Sequence, residues 1–349
     1  MTALVPIKMI QYVKPKADCQ RQSRQTFKTE NMKKLFPFLA KSYIVALLLL
    51  LALCSCAASD DNAAPQSSTP LTLFCYTWNM EWFPTGKDDQ YKAKADERIK
   101  TAGEMLRDAT KTLQENSTDY DQIFFLQEIN GSATCNKLKS YLNSPKLQIA
   151  SISSFYRGKN QKDKQQMAIL TTLPVLEKSY ARWRNEDGIK PPRGFVYALL
   201  DNKDSYIACF CLHLKANGAD EELSLVKQQR ETSSRQLLTK IKEVKASHTN
   251  KTVRVIIAGD FNTNVDDKKF LQEDTLRSLY AAHYRSCFRD LKPKDRVTHP
   301  GRGRYSDATF DYILYKDFPA DPQTKIFPGI QISDHNIVGC KFELEPRAE

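Results

Sequence analysis

Eight short apolar runs, each closed by polar residues, constrain how this chain can fold. They are 71–78 (LTLFCYTW), 122–127 (QIFFLQ), 166–171 (QMAILT), 194–200 (GFVYALL), 206–214 (YIACFCLHL), 253–258 (VRVIIA), 309–315 (TFDYILY) and 337–343 (IVGCKFE). Runs of this length and composition predict strands, and their near-continuous apolarity predicts strands covered on both faces. Two segments have helical periodicity instead. Residues 91–115 place Ile99, Ala102, Met105, Leu106 and Leu113 on one face, and 221–246 do the same with Leu223, Leu225, Val226, Leu237, Leu238 and Ile241. Many strands with a few long amphipathic helices predict an α/β fold of two packed sheets with helices outside. At 41% apolar and 10% aromatic residues, the chain buries a full core, which excludes a disordered polypeptide.

Chemistry-bearing residues recur where these runs end. TWNMEWF (77–83) delivers Asn79 and FFLQEIN (124–130) delivers Glu128; CLHLKANG (211–218) carries His213. IIAGDFNTN (256–264) breaks at Gly259 to present Asp260 and Asn262, FDYIL (310–314) holds Asp311, and ISDHNIV (332–338) sets Asp334 beside His335. A strand end holds its side chain rigidly at the mouth of a cleft. Glu128 is a candidate ligand for a hard cation such as Mg²⁺, which binds few protein oxygens plus water and phosphate. Taken together, the set holds a metal carboxylate, two histidines, three aspartates and two asparagines. Metal-assisted phosphoryl transfer needs groups of this kind: a cation on the phosphate, proton-transfer groups and donors for developing charge.

The ordered motifs WN, QE, HLK, GDFN, DYIL and SDH resemble the DNase I-like endonuclease/exonuclease/phosphatase superfamily, over about residues 72–344. GDFN at 259–262 followed by SDH at 333–335 is the specific part. The resemblance implies a four-layered α/β sandwich and a divalent metal, Mg²⁺ or else Mn²⁺ or Ca²⁺. Carried over position by position, it makes Glu128 the principal metal ligand, with Asn79 beside it and Asp334 at the metal edge. His335 becomes the base or electrostatic partner at the scissile phosphate, oriented by Asp311. Asp260 takes part in proton transfer, Asn262 donates to phosphate, and His213 is the second active-site histidine, acting as an acid. Arg193 falls where a phosphate-facing Arg or Tyr is common, with Arg182, Arg184 and Lys190 competing nearby. Gln127 is expected to support Glu128. His248, in KASHTNK, is read as a loop residue, and His283 and His299 as surface or packing residues.

The N-terminal region has a separate logic. Residues 44–53 (IVALLLLLAL) are preceded by Lys33, Lys34 and Lys41 and end in Leu53-Cys54-Ser55-Cys56. The run is short of the ~20 residues of a membrane span and fits a secretory signal. Its end resembles a bacterial lipobox, with Cys56 as the lipidated residue and Cys54 the weaker alternative. Met32 is the expected start, leaving 1–31 as a mis-annotated extension, 32–56 as the signal, 57–70 as a Pro- and Ser-containing tether, and 71–345 as one catalytic domain. An export route to the cell envelope, a membrane anchor and a monomeric enzyme are expected. Of the net charge of +11, residues 1–56 carry +7, so the remaining +4 does not by itself select a polyanionic partner. Of nine cysteines, six fall in the expected domain, too few for a disulfide framework. Cys209, Cys211 and His213 share a strand face and are read as core thiols rather than a metal site.

The expected activity is divalent-metal phosphodiester hydrolysis outside the cytoplasm, with nucleic acid as substrate. HLKANG resembles a segment of extracellular nucleases, and 292–304 (KPKDRVTHPGRGR) is basic enough to meet a phosphate backbone. SDATF before Asp311 lacks the Trp-Cys-Asp-Arg of inositol polyphosphate phosphatases. The alternatives are a phospholipid or sphingomyelin phosphodiesterase or a sugar or inositol phosphatase. From another class comes a non-catalytic surface-binding lipoprotein.

Overall fold

The computed structural model describes residues 71–114, 119–157, 161–218, 222–303 and 305–344. The expected leader, Cys54, Cys56 and the tether lie outside the described residues. The chain forms β1 (Thr72–Phe83), α1 (Ala95–Gln114), β2 (Tyr120–Ile129), α2 (Gly131–Ser140), β3 (Gln148–Ile152), β4 (Tyr156–Arg157), β5 (Gln161–Lys162), β6 (Gln166–Thr171), β7 (Val175–Arg182), β8 (Gly194–Asn202) and β9 (Ser205–His213). Then come α3 (Leu223–Ser247), β10 (Thr252–Asp260), α4 (Asp274–Ala281), β11 (Arg285–Ser286), β12 (Asp311–Lys316), β13 (Gln323–Phe327) and β14 (Ile337–Glu343). Among the described residues, no helix is long and apolar enough to cross a membrane.

Two six-stranded sheets carry the architecture, ordered β13-β14-β1-β2-β6-β3 and β11-β12-β10-β9-β8-β7. Each is mixed in the same way. One parallel pair sits inside each sheet, β1 with β2 and β9 with β10, and the other pairings are antiparallel. The period-2 geometry of a strand sends alternate side chains to opposite faces. Along β1, Leu73 and Cys75 join the core between the sheets, while Phe74, Tyr76 and Trp78 pack with the outer helices. β2 repeats this with Ile123 and Phe125 inward and Phe124 and Leu126 outward. That division explains the unbroken apolar runs: both faces are dry. Ile99, Ala102 and Leu106 of α1 and Cys135 and Leu138 of α2 cover the first sheet, and Leu237, Ile241 and Val244 of α3 with Leu276 and Leu279 of α4 pack into the core of the second. The result is a four-layered α/β sandwich.

Several local expectations shift. α1 starts at Ala95 after a 3-10 turn at Lys92–Lys94. In α3 the buried stripe runs Val226, Arg230, Ser233, Leu237, Ile241, Val244, so Leu223 and Leu225, ahead of that stripe, are exposed. β7 is an edge strand whose residues after Val175 are all exposed, with Glu177, Lys178 and Arg182 on it; such charge discourages pairing with another chain. Cys75, Cys135, Cys209, Cys211, Cys287 and Cys340 are free and buried. Cys211 Sγ accepts a hydrogen bond from Gln127 Nε2 at 3.2 Å, which suits a core thiol rather than a metal ligand.

Candidate active site

Topology explains why residues far apart in sequence meet. Parallel pairing puts the C-terminal ends of β1 and β2 at one edge, and those of β9 and β10 at the same end of the second sheet. The antiparallel neighbours β12 and β14 begin there. In register, Asn79 stands beside Gln127, Asp260 beside His213, and Asp260 beside Asp311. His335 lies two residues before β14.

The first sheet contributes Asn79 and Glu128 through a distortion. β1 and β2 lose register between Asn79–Gln127 and Phe83–Ile129, so four steps along β1 oppose two along β2. Glu81, Trp82 and Glu128 all take left-handed backbone angles, with φ of 48°, 49° and 60°. Non-glycine residues rarely adopt such angles, and where they persist they cluster at functional sites. Here they aim Trp82 N at Glu128 Oε2 (2.9 Å), fixing that carboxylate. Asn79 Nδ2 bridges the sheets, donating to Asp260 Oδ2 at 2.9 Å and to Glu128 Oε1 at 3.4 Å. Gln127 Nε2 donates to Thr77 Oγ1 and Cys211 Sγ, so it links the sheets beneath the site rather than holding Glu128 directly.

In the second sheet, Gly259 has φ 143°, and a Cβ there would lie 2.0 Å from Leu212 O, so β10 approaches β9 closely just before Asp260. Asp260 Oδ1 accepts from Asn262 N at 2.8 Å. Its Oδ2 is the hub of the site: besides Asn79 it faces His213 Nε2 at 3.7 Å and His335 Nε2 at 4.0 Å. His213 Nε2 also lies 3.6 Å from Glu128 Oε1, while its buried Nδ1 has no hydrogen-bond partner among the described residues. The carboxylates around His213 are therefore Glu128 and Asp260, on its Nε2 side. Asn262 (φ 50°) donates from Nδ2 to Leu214 O at 3.2 Å. Arg193 (φ 60°) also reaches Leu214 O, at 3.3 Å, and donates to Gln165 Oε1 at 3.0 Å.

The SDH turn closes the cleft. Ser333 Oγ donates to Asn79 O (2.6 Å) and accepts from His335 N (3.0 Å), and Trp78 Nε1 donates to His335 O (3.0 Å). Gly329 makes room, since a Cβ there would lie 1.8 Å from His335 O. The His335 ring pairs through Nδ1 with Asp311 Oδ2 at 2.7 Å. Asp334 turns outward: Oδ1 is 3.8 Å from His335 Nε2 and Oδ2 is 3.6 Å from His299 Nε2. Its amide donates to Glu81 Oε2 at 3.2 Å.

Two of these neighbours went unnoticed in the sequence. His299, read as a surface or packing residue, sits edge-on to His335 with ring centroids 4.9 Å apart. Glu81 lies in TWNMEWF, but only the β1 distortion brings it to Asp334. His248 also departs from a free loop: it caps the C-terminus of α3 and places Nε2 3.0 Å from Glu177. His283 is a turn residue with φ 65°.

Charge follows burial. Burial and the neighbouring Asp311 lift the Asp260 carboxyl to about 7, against the opposing pull of His335 and Asn79. Burial alone would lower His335, but Asp311, Asp260 and Asp334 raise it to about 10. Burial, Arg193 and His335 push His213 well below the usual imidazole range. Burial, Asp334 and Glu128 raise Glu81. Burial also acts to raise Asp334, yet His299 and His335 hold it below the ordinary carboxylate range. Glu81, Glu128, Asp260, Asp311 and Asp334 thus crowd their carboxyl groups into one cleft, and Asp260 resists ionising there. Such a cluster is relieved by a bound cation. The oxygen donors of Glu128 and Asn79 suit a hard divalent ion. Asp260, Asp311 and His335 also have ligand atoms within 4.8 Å of one another. The 2.7 Å contact between the last two is a hydrogen bond, so this trio is better described as a proton-holding relay.

Residues 76–335 match the endonuclease/exonuclease/phosphatase family. The chain belongs to that family. It is accordingly a phosphoesterase, and its buried acid–histidine cleft agrees with the divalent-metal dependence typical of endonuclease/exonuclease/phosphatase enzymes. No curated protein matches the chain. Among solved structures, an endonuclease/exonuclease/phosphatase family protein from Bacteroides thetaiotaomicron is 15% identical, with a TM-score of 0.52, covering 79% of this chain and 99% of its own. Sphingomyelinase C from Streptomyces griseocarneus is 13% identical (TM-score 0.53; 78% and 99%). Truncated Caenorhabditis elegans TDP2 is 14% identical (TM-score 0.50; 78% and 98%). At these identities the likeness is one of fold.

Behind the family motifs lies a buried ion pair. Arg230 of α3 makes two bonds to Glu273, 2.8 Å from Nε and 2.6 Å from Nη2, with both side chains 2% exposed. Arg230 Nη1 also holds Lys215 O and Asn217 Oδ1, and Thr263 donates to Glu273 Oε1 at 2.7 Å. The pair therefore ties the loops that follow His213 and Asp260 to the helical layer. Glu273→Gln should destabilise the protein by roughly 3–5 kcal/mol, because it strands a buried guanidinium. Urea unfolding checks this, and a loss below ~1 kcal/mol would show that the pair is not what fixes these loops.

Proposed function

We propose that this enzyme hydrolyses phosphodiester bonds of nucleic acid with a divalent metal, outside the cytoplasm, anchored through Cys56. The observation that carries the catalytic reading is the hub at Asp260 Oδ2, where Asn79 of one sheet meets His213 of the other beneath the His335–Asp311 pair. Glu128 would hold the ion, with Asn79 and Asp334 beside it. A divalent ion bound there supplies positive charge to the phosphate oxygens. Asp311 fixes the His335 ring through Nδ1, leaving Nε2–H of a charged imidazolium to donate to the scissile phosphate. Asp260, poised near neutrality, accepts a proton from the attacking water or returns one to the leaving oxygen. His213, held neutral, serves as an Nε2–H donor rather than a charged acid. Asn262 and Arg193 border the phosphate position as further donors.

Two clefts lined by these same residues support a polymeric substrate. One, of about 350 Å³, is lined by Arg182, Arg193, Lys215, Phe155 and Tyr156. The other, of about 320 Å³, adjoins Asn262 and His299 and is walled by Phe270, Phe310 and Tyr305. Cations that track phosphates and aromatic faces that stack on bases are the usual means of holding single strands. A lipid phosphodiester is the second reading, favoured by exposed Leu271, Tyr305 and Ile330, which neighbour Phe270, the aromatic cleft and Gly329.

The test is cleavage of plasmid DNA, RNA and sphingomyelin vesicles with Mg²⁺, Mn²⁺ or Ca²⁺, each against chelator. Chelator-sensitive cleavage of DNA or RNA is expected. Turnover of sphingomyelin alone would keep the chemistry and replace the substrate. Fatty-acid labelling that survives Cys56→Ser would contradict the anchor.

A further inference from the structure

His299 has no part in the chemistry above, yet it completes a second group of ligand atoms. We infer that His299, Asp334 and His335 form a site for an imidazole-preferring transition ion such as Zn²⁺, next to the Glu128 site and sharing its Asp334 edge, and that filling it blocks catalysis. One ligand atom from each residue lies within 4.8 Å of the others. His299 Nε2 is 3.6 Å from Asp334 Oδ2, and His335 Nε2 is 3.8 Å from Asp334 Oδ1. Tetrahedral zinc with bonds of about 2.0–2.1 Å sets neighbouring ligand atoms roughly 3.3–3.4 Å apart. Each imidazole thus stands a few tenths of an ångström beyond that spacing from one oxygen of the Asp334 carboxylate, a gap that small side-chain rotations close.

The surroundings fit a metal site as well as the distances do. Zinc-bound histidines usually donate their other ring nitrogen to a carboxylate, which fixes the ring and strengthens the ligand. His335 already does so, through Nδ1 to Asp311 at 2.7 Å. The His299 backbone is held by a two-bond bridge to Ala308, at 2.9 and 3.0 Å, and the next element is anchored by Asn336 N on Thr298 O at 2.7 Å. The side chains of His299 and Asp334 remain 23% and 29% exposed, so an ion can enter from the cleft. Two imidazoles and a carboxylate favour Zn²⁺, whereas the oxygen donors at Glu128 favour Mg²⁺. The two ions therefore favour different sides of Asp334, Mg²⁺ toward Glu128 and Zn²⁺ toward the imidazoles. An ion here takes the Nε2 lone pair of His335, releasing the proton to solvent and removing the donor from the phosphate. That inhibitory consequence rests on the role proposed for His335; the site itself does not.

The full chain tests this in two steps. First, equilibrium dialysis of Zn²⁺ in excess Mg²⁺ is run on Glu128→Gln, which removes the competing site. One equivalent should bind, and adding His299→Ala, or His299→Phe to keep the packing on His335 and Phe310, should weaken it at least ~100-fold. Equal affinity with and without His299, or no bound zinc, overturns the site. Second, Zn²⁺ is titrated into Mg²⁺-supported cleavage by the wild type and by His299→Phe. Each protein is read against its own zinc-free rate, and the fractional loss on adding zinc should be large in the wild type and small in the variant. Identical inhibition of both would overturn the inhibitory role. Because dialysis needs no turnover, failure of the site and failure of the proposed function are told apart.

Discussion

Alanine at His335 is expected to lower turnover by about 10²–10⁴-fold, the usual contribution of a positioned proton-transfer group. Among the described residues, the side chain makes its one short contact with Asp311, and the backbone bonds to Ser333 and Trp78 do not depend on it. The turn should therefore survive. Removing the ring leaves Asp311 buried without its partner, and Asp311 Oδ1 already has none among the described residues. A fall in melting temperature should accompany the rate loss. Asp311→Asn separates the two effects, since it keeps a hydrogen-bonding group beside the ring and removes the charge that holds His335 protonated. Its loss should be substantial, and the double variant should be no worse than His335→Ala, because residues that act as a unit are not additive. Steady-state rates on the preferred substrate check this, with melting curves alongside. A His335→Ala rate within threefold of wild type would mean the chemistry lies elsewhere.

Glu128→Gln should produce the second large effect, with a different signature. The amide is nearly isosteric and can still accept from Trp82 N, so the distorted end of β1 has no reason to move. What disappears is the negative charge proposed to hold the ion. A metal contribution of several kcal/mol corresponds to a loss of roughly 10²-fold or more at fixed metal. Raising the metal concentration should recover part of the Glu128→Gln loss and none of the His335→Ala loss. Titration of Mg²⁺ against initial rate reads this directly. Unchanged metal dependence in Glu128→Gln would remove Glu128 from the metal site.

The strand ends were the most legible part of this protein. LTLFCYTW, VRVIIA and IVGCKFE are nearly continuous because most positions on both faces of each strand are dry, and such runs are conspicuous in sequence. Asn79, Glu128, His213, Asp260, Asp311 and His335 could be singled out together because each follows, precedes or closes such a run. The parallel pairs β1–β2 and β9–β10 then bring those ends to one edge of the fold. What escaped notice lacks that signal. β7 is exposed along almost its whole length and shows no apolar pattern. Glu81 reaches the cleft only because β1 leaves its register with β2. His299 follows a basic loop segment, and its meeting with Asp334 and His335 is purely tertiary. Arg230 and Glu273 lie 43 residues apart, joined by no periodicity that a sequence displays.

The ends of both sheets are proposed to form a single catalytic centre. A double-substitution cycle tests it most directly, with Glu128→Gln from the first sheet and Asp260→Asn from the second, read as kcat/KM for Mg²⁺-dependent cleavage. If the centre is one unit, each single variant is severely impaired and the double is about as slow as the worse single. If the two losses multiply, or if either variant cleaves at the wild-type rate, the sheets do not share one active site.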